Sequence, residues 1–291
     1  MNRIDRIFLG RNRPAFIVFT VAGDPDPETS IRVAEALVSA GADILELGMP
    51  FSDPSADGPG IQKADQRALD AGTKPDTLFS IIRVIRGRSE VPILILTYYN
   101  PIYQRGIDRF YREAADAGAD GVLIVDLPAE EISVVRTAAD RYALCQIVMA
   151  TPTTTDQRLG LIGSAGSGFL YVISVAGVTG ARDHLAVGVA DLLRRIRSKT
   201  TLPLAVGFGV SRPEHMQAIA AAGGDAAIVG SAIASIIEEH TQNTDRMIEA
   251  LRAYVTMMRG SLEPRSKDRS KDGSKIGSDF GSEDVSEERI P

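Results

Sequence analysis

Short apolar runs recur along the chain at Phe16–Val21, Ile44–Leu47, Pro92–Tyr98, Gly121–Val125, Leu144–Met149, Phe169–Ser174, Leu202–Val206 and Ala226–Val229. They are near-continuously apolar instead of alternating, the pattern of strands covered on both faces, as in a parallel sheet. Between them lie stretches with apolar residues at helical spacing: Glu28–Ala40, Pro75–Arg86, Ile107–Ala117, Glu130–Arg141, Asp156–Gly163, Leu185–Ser198, Pro213–Ala222 and Ala232–Glu239. Three joints are near copies, Ala40-Gly41-Ala42-Asp43, Ala117-Gly118-Ala119-Asp120 and Ala222-Gly223-Gly224-Asp225. In each, a glycine supplies the left-handed helix stop before the chain turns into the next strand. Strand-then-helix units repeated eight times within about 240 residues predict an α/β protein, a single (β/α)8 TIM barrel. An open doubly wound sheet is the competing arrangement. It is disfavoured because no Gly-x-Gly-x-x-Gly follows the first strand.

The beat stops near residue 260. From Ser261 to Pro291 only Leu262, Ile276, Phe280, Val285 and Ile290 are large and apolar; the rest is dominated by Ser, Gly and charged residues. Such a segment buries too little surface to offset its ordering entropy. The expected organisation is a barrel domain at 1–260 and a disordered charged tail at 261–291.

Composition narrows the partners. Lys and Arg number 32 against 38 Asp and Glu, a net charge of −6, so no global basic field exists to hold nucleic acid or an anionic membrane. The single Cys145 rules out a disulfide framework or a cysteine-built zinc site, and His184, His215 and His240 have no metal-ligand spacing. No metal is expected. The N-terminus carries Asp5 and no apolar core of a signal peptide, and no uncharged apolar run approaches the ~18 residues of a membrane span. A cytoplasmic enzyme of a small molecule is the expectation.

In such a barrel the chemistry lies at the C-terminal ends of the strands. Glu46 is the sharpest signal there. Alternation puts Leu45 and Leu47 on one face and Ile44, Glu46 and Gly48 on the other. With the leucines under the helices, Glu46 points into the barrel, where lost hydration raises its pKa towards the range of proton transfer. The alternative is a structural carboxylate paired with a cation, but the strand ends offer almost none. Asp57 is not singled out by spacing: Asp24, Asp53 and Asp126 have equal claims, and each acid is also a turn former. The stretch from Gly48 to Pro59 is long for a strand-to-helix joint, which favours a functional loop. Glycines form the second constellation. Gly207-Phe208-Gly209 after the seventh strand and Gly230-Ser231 opening the last predicted helix free backbone N–H groups for an anion, where many barrels hold phosphate. Gly177-Val178-Thr179-Gly180 can close the same cradle. Lys63 opens a helix and is read as solvent-facing, and no strand carries a lysine, which argues against a Schiff-base aldolase.

The segment Leu45-Glu46-Leu47-Gly48-Met49-Pro50-Phe51-Ser52-Asp53-Pro54-Ser55-Ala56-Asp57-Gly58-Pro59-Gly60-Ile61-Gln62 resembles the signature of the tryptophan synthase α chain family. Phe19 to Pro25, Tyr98 to Ile102, Ala176 to Gly180 and Val206 to Ser211 resemble its other landmarks, in the same order. The likeness covers residues up to about 260 and leaves out the tail, which has no counterpart in the family. It implies a (β/α)8 lyase that cleaves indole-3-glycerol phosphate into indole and glyceraldehyde 3-phosphate, with no metal or organic cofactor of its own. By motif, Glu46 matches the general acid–base and Asp57 the carboxylate that binds the indole N–H. Tyr171 matches an active-site tyrosine, and Phe19 and Leu96 match the indole pocket. Gly180, Gly209, Gly230 and Ser231 match phosphate-binding positions, with Thr179 beside them. The resemblance further implies a β-chain partner in an αββα heterotetramer, with pyridoxal phosphate held only by that partner. Two positions depart from the family: Val175 stands where many members carry Arg, and Ser55 where Leu is common. Two alternatives remain at this point. One is another phosphate-binding TIM-barrel enzyme; the other is a noncatalytic subunit that only activates a β chain.

Overall fold

The computed structural model describes residues 1–174, 185–207 and 209–262, with backbone only at 185–187. Eight parallel strands close into a barrel in chain order. They are β1 (Ala15–Val21), β2 (Ile44–Gly48), β3 (Ile93–Thr97), β4 (Gly121–Ile124), β5 (Cys145–Ala150), β6 (Leu170–Ile173), β7 (Leu204–Gly207) and β8 (Ala226–Val229). Each apolar run of the sequence carries one of them, and β8 pairs with β1.

The helices are α1 (Arg3–Phe8), α2 (Pro27–Ser39), α3 (Pro59–Asp70), α4 (Pro75–Arg86), α5 (Tyr99–Arg105), α6 (Ile107–Ala117), α7 (Ser133–Arg141), α8 (Asp156–Ala165), α9 (Leu185–Arg197), α10 (Pro213–Ala221), α11 (Ser231–Glu239) and α12 (Thr244–Gly260). Four of them, α1, α3, α5 and α12, go beyond the periodicity reading. α1 and α5 are too short to show a period. α3 buries a face with Ile61 as its one large apolar residue, beside Ala64, Asp65 and Ala68, and α12 buries Met247, Leu251, Val255 and Met258 behind a polar exterior.

Two apolar layers follow from strand alternation. Leu45, Leu47, Val122 and Val206 face the helices, together with Leu37, Leu78 and Phe110. Ile17, Ile44, Leu94, Leu123, Ile147 and Phe169 fill the barrel. Ile4 of α1 joins the inner layer, fully buried, with its Cδ1 2.9 Å from where a Cβ on Gly121 would sit. Asn2 fastens that plug: its Oδ1 accepts the Ile4 N–H at 2.9 Å and its Nδ2 donates to the Asp120 carbonyl at 2.7 Å. One end of the barrel is thus sealed, leaving the C-terminal mouth of the strands for a ligand.

The repeated joints do structural work beyond stopping helices. Their glycines have φ of 114° at Gly41, 100° at Gly118 and 85° at Gly223, the left-handed region open to glycine. Each following aspartate reaches back across the barrel rim to cap the neighbouring strand. Asp43 accepts the Phe16 N–H at 2.9 Å, Asp120 that of Ile93 at 2.9 Å, and Asp225 that of Leu204 at 2.8 Å. Arginines neutralise all three: Arg11, Arg13 and Arg259 at Asp43, Arg3 and Arg86 at Asp120, and Arg197 at Asp225. Arg259 lies on α12, so the last helix is tied to the first joint. The outer core extends to Leu262, which is buried two residues into the stretch that composition assigns to the tail. The expected disorder of that tail falls on residues outside those described.

Candidate active site

Glu46 lies where alternation on β2 places it, on the inner face between its register neighbours Phe19 and Leu94. It is fully buried, and neither carboxyl oxygen has a hydrogen-bond partner. Loss of hydration, with the nearby Asp57 carboxylate adding to it, pushes its pKa from 4.5 up to about 8. At neutral pH the side chain is therefore mostly a neutral acid, and among the described residues no cation offsets it.

Asp57 comes from the turn that ends the β2–α3 loop, where its N–H bonds the Pro54 carbonyl at 3.0 Å. Tyr98, at the end of β3, donates its hydroxyl to Asp57 Oδ2 at 2.7 Å. Burial raises the Asp57 pKa and this hydrogen bond opposes the rise. The structure separates the four acids that spacing could not. Asp24 is buried in a two-point ion pair with Arg67 of α3, at 2.7 and 2.8 Å. Asp126 accepts the Tyr99 N–H at 2.7 Å, at the start of α5, and Asp53 accepts the Ser52 hydroxyl at 2.6 Å on the surface. Of the four, Asp57 lines the barrel mouth.

That mouth holds a cavity of about 250 Å³. Phe19, Leu96, Leu123, Val125, Met149, Tyr171, Ile173 and Ile228 give it apolar walls, and Asp57 places a carboxyl group at one side. Gly209, Gly230 and Ser231 line it as well. Gly209 has φ of 74°, and α11 opens at Gly230 with no side chain capping it and no acid in its first turn. Its first N–H groups have no carbonyl within the helix to bond, so they suit an anion. The tyrosine fits because Gly207 has no side chain: a Cβ there would stand 2.6 Å from the Tyr171 hydroxyl oxygen. Glu46 itself is not on the cavity wall. Phe19, beside it in register, and Tyr171, its electrostatic neighbour, are. Thr179, Gly180, Phe208, Val175 and His184 lie outside the described residues.

Other candidates resolve as structural. Cys145 is buried in the inner layer, its thiol pushed up to about 12 by desolvation and by nearby Asp5 and Asp120. Lys63 pairs with Glu238 at 2.8 Å on the surface. Among the described residues no group of His, Cys, Asp or Glu is arranged to hold a metal ion. No helix among them is long and apolar enough to cross a membrane.

Two residues at the site escaped the sequence reading. Tyr98 stood among the strand-end residues without a role, since a hydroxyl's partner is not legible from spacing. Asp65 left a clearer trace. Ile61, Ala64, Asp65 and Ala68 form the buried face of α3 at helical spacing, so an acid on an otherwise apolar stripe marks it. Burial, foremost, and the Asp57 charge push Asp65 up to about 8 against the opposing effect of the Phe51 backbone.

The family model of the tryptophan synthase alpha chain matches residues 8–263. The chain belongs to this family. A tryptophan synthase alpha chain from Methanoregula boonei is 54% identical over 263 residues, which is 90% of this chain and 99% of that one. One from Methanothermobacter thermautotrophicus is 48% identical over 237 residues, 81% of this chain and 88% of the relative. Among solved structures, a chain from the tryptophan synthase a2b2 complex of Pyrococcus furiosus superposes with a TM-score of 0.81 at 38% identity, covering 86% of this chain and 99% of that one. As a tryptophan synthase alpha chain, the protein is a lyase of tryptophan biosynthesis. It catalyses the α reaction, the cleavage of indole-3-glycerol phosphate to indole and glyceraldehyde 3-phosphate.

Proposed function

We propose that Glu46 is the general acid–base of the α reaction and Asp57 its electrostatic partner. The observation that carries this reading is the unpartnered, proton-holding Glu46 carboxyl, buried behind Phe19 and Tyr171 of the cavity that Asp57 lines. Bonded to nothing, that carboxyl swings towards a substrate without losing a hydrogen bond. Its proton goes to indole C3, and the ring nitrogen becomes positive. The ionised Asp57 stabilises that charge through the indole N–H. The bond from C3 to the side chain then breaks. Its electron pair restores the indole ring, and the adjacent hydroxyl carbon becomes the aldehyde of glyceraldehyde 3-phosphate. The Glu46 carboxylate takes the hydroxyl proton, so the acid is regenerated.

The apolar walls of Phe19, Leu96 and Tyr171 suit the flat indole. Gly209, Gly230 and Ser231 hold the phosphate at the α11 N-terminus; Thr179 and Gly180 are assigned to the same phosphate by family likeness alone. Anchoring at both ends aligns the bond that breaks. The experiment is to compare indole release by wild type and Glu46→Gln. The amide is nearly isosteric but carries no transferable proton, so a loss of ~10²–10⁴-fold is expected. A variant that keeps a third of wild-type activity rejects the role.

We further infer a tryptophan synthase β chain as partner, in an αββα assembly like that of the Pyrococcus furiosus a2b2 complex. Pyridoxal phosphate belongs to that β chain, this chain works without a cofactor of its own, and the cytoplasm is its compartment.

A further inference from the structure

We propose that Tyr98 is a positioning residue for Asp57, pinning the β2–α3 loop so that the carboxylate meets the cavity. The inference rests on the reading of Asp57 above. One side chain holds the loop at three points. The Tyr98 ring stacks on Phe51 with centroids 4.9 Å apart. Its hydroxyl oxygen accepts the Ala56 N–H at 3.0 Å, and its hydrogen goes to Asp57 Oδ2 at 2.7 Å. The hydroxyl is thereby oriented: receiving from the backbone, it has its proton left for the carboxylate. Phe51, Ala56 and Asp57 span the loop, while Tyr98 stands just after β3 and is 3% exposed. From the α3 side, Gln62 donates to the Asp57 carbonyl at 2.8 Å.

The consequence is electrostatic as well as geometric. A hydroxyl that donates to a carboxylate favours the ionised form, the form that stabilises a positive indole nitrogen. The titratable groups around Asp57 are Tyr98 just after β3, Glu46 of β2, Asp65 of α3 and Tyr171 of β6. The last three are neutral or anionic and give the carboxylate no help. Among the described residues no Lys or Arg pairs with Asp57, and the Tyr98 hydroxyl is the side-chain donor that favours its charged form against burial. Tyr98 does not line the cavity, so substrate binding owes little to it.

The test is indole release from indole-3-glycerol phosphate across pH 5–10, by wild type, Tyr98→Phe and Asp57→Asn. Phenylalanine keeps the stack on Phe51, so the variant folds. A hydrogen bond to a charged group corresponds to a shift of about one pH unit. In Tyr98→Phe the acid limb of kcat is expected to move up by about that much, with kcat at its optimum down about tenfold and KM changed less than about threefold. The limb above pH 8, set by Glu46, stays in place. If Asp57→Asn is inactive while the Tyr98→Phe profile superposes on wild type, the positioning role is wrong and the reading of Asp57 survives. If Asp57→Asn matches wild type, the reading of Asp57 itself fails and the proposal falls with it.

Discussion

Replacing Glu46 with Gln should exchange activity for stability, and the gain should grow with pH. In the unfolded chain Glu46 ionises near 4.5; in the barrel it holds its proton to about 8. Between those values the folded state binds more protons than the unfolded one, so raising the pH favours unfolding. Below 4.5 the effect is absent, and above 8 it is complete. Each unit of difference corresponds to about 1.4 kcal/mol, so wild type loses roughly 3 to 4 kcal/mol between pH 5 and pH 8 through this one group. Glutamine does not titrate and escapes the loss. A buried amide without partners is itself unfavourable, but equally so at every pH, and cancels from the slope. Urea unfolding at pH 5, 6, 7 and 8 followed by far-UV circular dichroism suits a chain without tryptophan. The stability of Glu46→Gln relative to wild type should climb by that amount across the series. Parallel curves for the two proteins would show that Glu46 is ionised in the folded state and refute the reasoning.

Other perturbations probe the remaining parts. Asp57→Asn should lower kcat far more than it raises KM, because the carboxylate's charge is needed once the indole nitrogen is positive; a change in KM alone assigns it to substrate binding. Asp120→Ala should destabilise the barrel by about 3–5 kcal/mol in urea unfolding, since it orphans the Ile93 N–H and leaves the half-buried Arg86 charge with backbone carbonyls but no carboxylate; a loss under 1 kcal/mol contradicts the capping role. Removing residues 263–291 should leave the unfolding midpoint and the α reaction unchanged, whereas extending the deletion through Leu262 should lose about 2 kcal/mol of burial; equal midpoints show that Leu262 adds nothing. Titrating the cognate β chain into a fixed amount of this protein should raise glyceraldehyde 3-phosphate production, and a flat titration removes the reason for the αββα assembly.

The barrel was legible because eight covered strands leave eight apolar runs, and because the glycine joints repeat. Glu46 was legible for a related reason: one acid in a strict alternation points inward whatever the loops do. Asp57 could not be separated from Asp24, Asp53 and Asp126 by pattern, since each partner comes from elsewhere in the chain. Arg67 of α3 claims Asp24, the Tyr99 backbone claims Asp126, and Tyr98, 41 residues on, claims Asp57. Family likeness selected Asp57 where spacing did not. Asp65 was readable in principle as an acid on an apolar helical stripe. The short plug α1 was not: six residues show no period, and its function as a stopper exists only once the barrel closes.

The central claim is that Glu46 holds a proton at neutral pH inside the barrel. Infrared spectroscopy reads it directly, as the difference between wild type and Glu46→Gln across a pH titration. A protonated carboxyl carbonyl band should be present at pH 7 and vanish with a midpoint near 8, as the carboxylate bands grow in. A spectrum showing only carboxylate at pH 7 would contradict the claim and remove Glu46 as the acid that starts the reaction.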